Sequence, residues 1–174
     1  MRDYLSARGI LGTSVLWFER EGDGFRPPEQ YRRSVLATVN THDLPPTAGY
    51  LADEHVALRA RLGLLTRPVE EELADADAER TAMLDLLRQR GLIGDAPTEA
   101  EVIEALYALI AQSPSELLGV ALVDAVGERR AQNVPGTDTE YPNGQFPLAD
   151  GAGRAVLLDD LASDPRFRAL AAAV

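Results

Sequence analysis

The chain has no cysteine among its 174 residues, which excludes a disulfide, a thiolate nucleophile and a cysteine-ligated metal. Basic charge is also short: 17 basic residues face 28 acidic ones, giving a net charge of -11 and a pI near 4.6. That balance repels phosphate backbones and no basic patch reverses it, so no nucleic-acid partner is expected. A neutral polyol such as a sugar meets no such barrier. The only histidines are His42 and His55, and their spacing matches no zinc signature, so no metal is expected either. Long apolar runs are missing too. The most apolar stretch, residues 117–123, is far too short to span a bilayer, and no membrane partner is expected. Met1-Arg2-Asp3-Tyr4 has no long apolar run behind it and does not read as a signal peptide; with the lack of cysteine, this suits a cytoplasmic location.

What is present is the material of one globular domain, with 45% hydrophobic and 26% charged residues, fractions that separate no enzyme from a scaffold. Residues 3–8 read as a short helix stopped by Gly9. Residues 10–18, branched and aromatic, read as a strand, and residues 19–30, broken by Gly22, Gly24, Pro27 and Pro28, as a loop. A second strand over 34–39 must stop before Pro45 and Pro46. Helical spacing begins near residue 47. Thr66 and Pro68 predict the start of a long helix ending at Gly91, with Glu70, Glu71 and Glu72 at its positive end. Thr98 and Glu101 have capping-box spacing ahead of an apolar face of Val102, Ile103, Leu106, Leu109 and Ile110. Residues 117–123 are apolar at nearly every position, which predicts a strand buried on both faces. A short strand over 155–158 and a helix started by Ser163-Asp164-Pro165 complete the chain. This order favours an α/β architecture, and three candidate strands are too few for a closed barrel.

The best local constellation is Thr41-His42-Asp43, where an apolar strand meets a rigid Leu-Pro-Pro segment. At the carboxyl end of a barrel strand these side chains enter the mouth of a site, and Asp43 can accept hydrogen bonds from sugar hydroxyls. His42 can donate to another hydroxyl, and Thr41 can fix the turn. The plainer alternative is a turn aspartate beside an ordinary histidine. Trp17 offers either a sugar platform or, with Phe18, a core aromatic. Asn133-Val134-Pro135-Gly136-Thr137 lies downstream of the buried strand, although Pro-Gly is first of all a turn signal. Ser34 and Ser115 have no histidine relay, and Gly22 with Gly24 makes no phosphate-binding fingerprint.

Residues 36–50, LATVNTHDLPPTAGY, resemble the late catalytic-barrel segment of the 4-alpha-glucanotransferases, also called amylomaltases or disproportionating enzymes, of glycoside hydrolase family 77. Supporting similarity runs through Arg2-Asp3-Tyr4-Leu5, Gly12-Thr13-Ser14-Val15-Leu16-Trp17-Phe18-Glu19, Arg59-Ala60-Arg61-Leu62-Gly63-Leu64 and Asn133-Val134-Pro135-Gly136-Thr137. The resemblance implies that residues 1–174 are the C-terminal portion of a TIM (β/α)₈ barrel, incomplete in this chain. It implies transfer of 1,4-α-glucan segments to a glucose or maltooligosaccharide acceptor by a retaining mechanism, with no organic cofactor.

Within that pattern Asp43 matches the third carboxylate, the stabiliser of the transition state, and His42 a substrate-binding residue beside it. Thr41, Trp17 and Asn133 are the further substrate-binding candidates. The family's nucleophilic aspartate and acid–base glutamate belong to earlier barrel segments, so the missing N-terminal segments are the implied partner and this chain alone is expected to be inactive. A departure falls at Asn143, which is followed by Gly144-Gln145-Phe146 where the family has a tryptophan, and which is expected to weaken a sugar or packing contact. The alternative function is a noncatalytic carbohydrate-binding or assembly fragment.

Overall fold

The computed structural model describes residues 4–5, 7–22 and 24–174. Of the expected helix over 3–8, Asp3 and Ser6 lie outside the described residues. Tyr4 and Leu5 are helical, and Gly9 takes a positive φ of 64° at its end.

The strands are β1 (Gly12–Val15), β2 (Arg20–Glu21), β3 (Gly24–Phe25), β4 (Val35–Thr38) and β5 (Leu117–Gly119). A three-stranded parallel sheet has the order β1-β4-β5, and β2 with β3 makes an antiparallel hairpin. That hairpin occupies the stretch expected to be loop. Its two-residue strands are too short for alternation to show in sequence. The strand expected over 10–18 stops at Val15, where pairing with Thr38 ends, and Leu16–Phe18 turn into a 3₁₀ helix.

The helices are α1 (Thr47–Leu51), α2 (Glu54–Arg61), α3 (Val69–Gln89), α4 (Glu99–Ala111), α5 (Leu122–Val126), α6 (Leu158–Leu161) and α7 (Pro165–Ala173). The capping box forms as its spacing predicts: Glu101 N–H donates to Thr98 Oγ1, and Thr98 N–H donates to Glu101 Oε2 at 2.7 Å. For the long helix, Pro68 rather than Thr66 takes the N-cap position, without a side-chain cap. Proline's fixed φ starts that helix, and Glu70, Glu71 and Glu72 in its first turn meet the exposed N–H groups. Asp164 caps α7 by accepting from Arg166 N–H and Phe167 N–H at 2.8 and 3.0 Å.

Parallel pairing puts cross-strand rows on alternate faces. Ser14, Ala37 and Leu118 form a row facing the helices, with Val35 and Val39 on the same side; Val35, Ala37 and Val39 are wholly buried. The core beneath them holds Val102, Ile103, Leu106, Leu109 and Ile110 of α4, Met83 and Leu87 of α3, and Leu170 of α7. Each fully buried side chain of this kind contributes about 1.5–3 kcal/mol. The opposite row, Thr13, Leu36 and Leu117, is uncovered: Leu117 is 50% exposed and lies on the other face from Leu118, which packs on the core.

Residues 117–123 therefore depart from expectation. Only three of them form strand, Leu122 already begins α5, and the run is buried on one face rather than two. The outer edges of β1 and β5 are unpaired among the described residues, so the sheet is open and no barrel closes. The strand expected over 155–158 is reduced to a single bridge from Ala155 to Ala149, and Leu158 belongs to α6. No helix among the described residues is long and apolar enough to cross a membrane.

All 17 basic residues are arginine, whose planar guanidinium can serve two acceptors at once. Arg129 does so, donating to Glu54 of α2 at 2.9 Å and to Glu99 at the start of α4. It ties the segment after α5 to both helices.

Candidate active site

At its carboxyl end β4 runs into Val39 and Asn40, and then into the turn that carries the candidate residues. Thr38 Oγ1 donates to the Asn40 carbonyl at 3.1 Å, and Leu44 N–H donates to the Thr41 carbonyl at 3.1 Å, closing the turn. Thr41 fixes it through its backbone, not its hydroxyl. Pro45 and Pro46 follow, and α1 begins at Thr47.

His42 and Asp43 are exposed at the tip of this turn. Asn133 Nδ2 donates to Asp43 Oδ1 at 2.6 Å, and His42 Nε2 lies 3.3 Å from the same oxygen. Asp43 Oδ2 accepts no hydrogen bond among the described residues. The carboxylate is thus oriented by one oxygen and open at the other, and an open carboxylate oxygen can accept from a ligand hydroxyl. On the sheet's uncovered side, an open concavity of about 490 Å³ is lined by Thr13, Leu36, Thr41, His42, Gly119 and Val120 among others. It joins the apolar row of the sheet to the turn.

Three of the four substrate-binding candidates therefore gather with Asp43: His42, Thr41 and Asn133. Trp17 is placed elsewhere. Its ring packs 4.5 Å from that of Tyr50 and 5.9 Å from that of Phe25, against the core, so the core alternative describes it. The aromatic exposed at that turn is Phe18, at 67%. His55 stacks on Tyr50 at 4.8 Å. No group of three or more residues able to hold a metal ion occurs among the described residues.

Asn133 reaches Asp43 because the segment after α5 is tightly organised. Gly127 ends α5 at a φ of 74°, in the left-handed region, and the next residue, Glu128, is buried. Its carboxylate accepts from the backbone N–H groups of Arg129, Arg130 and Ala149 and from the Arg130 guanidinium at 2.6 Å. Burial alone pushes the Glu128 carboxyl up, but the Arg130 and backbone hydrogen bonds outweigh it and hold it below the ordinary value. Further along, Asn143 Oδ1 accepts from Val134 N–H at 2.9 Å and Asn143 Nδ2 donates to Thr137 Oγ1 at 2.9 Å, bracing the turn next to Asn133. Phe146 packs edge-on to Tyr141 at 5.7 Å, with the Arg130 guanidinium 4.7 Å above its ring. The altered Gly-Gln-Phe run thus places an aromatic against Tyr141 and Arg130.

A second carboxylate, absent from the sequence-based candidates, lies directly behind the turn. Asp124 of α5 is 1% exposed and accepts four hydrogen bonds. Thr47 N–H donates to Oδ1 at 2.8 Å, while Thr47 Oγ1, Asn40 Nδ2 and Tyr107 OH donate to Oδ2 at 2.9, 2.9 and 2.8 Å. Tyr107 OH itself accepts from Ala121 N–H at 3.1 Å, which leaves its proton for Asp124. Burial pushes the Asp124 carboxyl up from its ordinary value, and the four hydrogen bonds oppose that rise without cancelling it. In sequence this residue directly follows the apolar run 117–123 read as strand. A lone acid at the end of such a run is itself a clue, because an acid is almost never fully buried unless paired.

The backbones meet closely here as well. A Cβ on Gly49 of α1 would lie 2.3 Å from the Arg129 carbonyl oxygen, so glycine is needed for α1 to seat against the segment that carries Asn133.

The parallel sheet with helices on one face is a mixed α/β fold. The candidate carboxylate lies between histidine and asparagine at its carboxyl end, where ligands of such sheets bind. Comparison with known proteins narrows the class. The family model for glycoside hydrolase family 77, described as 4-alpha-glucanotransferase, matches residues 1–151. The chain belongs to this family. It is 51% identical over 181 aligned residues to the 4-alpha-glucanotransferases of Mycobacterium tuberculosis and Mycobacterium bovis, covering all of this chain and 25% of theirs. The crystal structure of amylomaltase from Corynebacterium glutamicum superposes with a TM-score of 0.93 at 43% identity, over 99% of this chain and 26% of that one. The chain thus spans about a quarter of the length of the relatives it matches. An amylomaltase from Streptococcus agalactiae, at 17% identity and a TM-score of 0.56 over 99% of this chain and 28% of that one, shares the fold.

Proposed function

We propose that this sequence forms the C-terminal part of a (β/α)₈ barrel that transfers 1,4-α-glucan segments to glucose or a maltooligosaccharide. The observation that carries the reading is Asp43. It sits at the carboxyl end of a parallel strand in a 4-alpha-glucanotransferase family chain, with Oδ1 held by Asn133 and Oδ2 open. The open oxygen suits a hydroxyl of the sugar whose anomeric bond breaks. As positive charge develops on that ring, the hydroxyl becomes a better donor and its bond to Asp43 strengthens, so the contact favours the transition state over the bound substrate. His42 and Thr41, which line the concavity next to Asp43, contact neighbouring hydroxyls, while Asn133 holds the carboxylate in line.

Retention of configuration needs a nucleophile and an acid–base residue as well. Earlier barrel segments supply both in this reading. Those segments also pair the edges of β1 and β5 and cover the row of Thr13, Leu36 and Leu117, which explains why residues 117–123 are apolar on both faces. The isolated chain then turns over no substrate. Trp17 acts here as core packing. The test is to extend the chain at its N-terminus to the length of its relatives and incubate it with maltotriose. Redistribution into shorter and longer chains with release of glucose is the expected result. A folded extended chain that leaves maltotriose unchanged rules the reading out.

A further inference from the structure

The turn that carries His42 and Asp43 spans residues 41–46, and both of its ends are tied to one side chain. Asn40, on the strand side, donates to Asp124 Oδ2 at 2.9 Å. Thr47, on the helix side, donates through its backbone N–H to Oδ1 at 2.8 Å and through its hydroxyl to Oδ2 at 2.9 Å. Asn40 Oδ1 is buried without a partner, so the Asn40 side chain is held by its amide end alone, toward Asp124 and Thr47.

The helix start explains the need. Pro46 occupies the N-cap of α1 and offers no side-chain oxygen, leaving the Thr47 N–H to be satisfied from outside. Asp124 does this from a helix 77 positions away in sequence. Its fourth bond, from Tyr107, anchors the carboxylate to the core helix α4, which fixes the reference point itself. With Pro45 and Pro46 in the turn, the segment between the two ties has little freedom of its own. A shift at either tie therefore reaches Asp43.

We propose that Asp124 is a positioning residue: by clamping Asn40 and Thr47 from behind, it sets the orientation of Asp43 toward substrate. The proposal rests on the role assigned to Asp43 above. It differs from a purely structural role, in which Asp124 would stabilise the molecule without a selective effect on the turn.

Hydrogen exchange separates the two. Thr47→Val keeps the backbone bond and the shape and removes one tie, whereas Asp124→Asn sets an amide donor among four donors. In the chain itself Thr47→Val should speed exchange over residues 41–47 by about fivefold, with α4 changed less than twofold, since the hydroxyl's bond to Asp124 and its longer one from Asn40 are lost locally. Asp124→Asn should speed it by a further factor of about ten or more on the same grounds. Acceleration spread equally over the turn and α4, or none in the turn with Thr47→Val, overturns the proposal.

In the extended chain, Thr47→Val should lower kcat for maltotriose about tenfold with KM within twofold and folded fraction unchanged, the pattern of a lost transition-state contact. An unchanged kcat overturns positioning even if Asp43→Asn abolishes transfer. If instead the wild-type extended chain transfers nothing, the reading of Asp43 fails, and a turn-selective exchange result in the chain itself still upholds the clamp.

Discussion

Asp43 and Asp124 lie on opposite sides of one turn, Asp43 within it and Asp124 behind its two ends, and are opposite in nearly every physical respect. Asp124 is sealed from water and accepts four hydrogen bonds; Asp43 is exposed and accepts one short bond, from Asn133, with its other oxygen unused. A carboxylate saturated by its own protein has nothing left for a ligand and serves to hold backbone in place. One that is oriented but half-filled keeps an oxygen free to accept from a partner outside the chain. Hydrogen-bond occupancy thus separates the two roles better than burial or charge does.

The comparison breaks most readily at Asp43. Replacing it by asparagine keeps its size but turns one acceptor end into a donor, which repels a sugar hydroxyl that must donate. In the extended chain Asp43→Asn should reduce maltotriose transfer by about a thousandfold, in the range for loss of a preorganised transition-state contact. The melting temperature should stay within about 2 °C, since an exposed side chain contributes little to stability. A variant keeping a tenth of the activity would make Asp43 an ordinary turn residue. Asp124→Ala should do the reverse in the chain itself. It leaves buried donors on Asn40, Thr47 and Tyr107 unsatisfied, and unfolding by urea should show a loss of about 3 kcal/mol or more. A loss under about 1 kcal/mol would mean that those donors find other partners.

How far such roles are legible in sequence depends on range. The capping box at Thr98, the acidic first turn of α3 and the start of α7 at Ser163-Asp164-Pro165 are local, and spacing alone makes them legible. Thr41, His42 and Asp43 were legible as a strand-end turn because prolines fix where β4 must stop. The partnership of Asp43 with Asn133 spans 90 positions, and that of Asp124 with Asn40 spans 84. No periodicity encodes contacts at that range. Residues 117–123 misled for a different reason. Their uniform apolarity reads as a strand with two buried faces, but the described residues cover only one and Leu117 lies exposed. Asp124 ends that apolar run, and its cost of burial is the physical sign that something must satisfy it.

Smaller effects sharpen the contrast. Asn133→Ala frees Asp43 Oδ1 without touching Asp124. It should lower transfer in the extended chain about tenfold, equivalent to about 1.4 kcal/mol, with no loss of stability by urea. An equal fall in stability would move Asn133 to the structural side of the comparison. Glu29 then separates saturation from burial. Both of its oxygens accept from Arg90, one of them at 2.9 Å, yet it is exposed. The Arg90 hydrogen bond holds its carboxyl down, from an ordinary 4.5 to about 2. A folded-state value below the unfolded one gives stability that is present above about pH 4.5 and is lost as pH falls through about 2. Glu29→Gln should therefore flatten the acid limb of stability between those pH values and cost a small amount of stability at neutral pH, where the contribution is fully present. Added salt should erase the difference, because an exposed pair is screened. A neutral-pH loss as large as that of Asp124→Ala would show that saturation by hydrogen bonds stabilises without burial. The small, salt-sensitive outcome expected here places the strength of the Asp124 clamp in the exclusion of water around it.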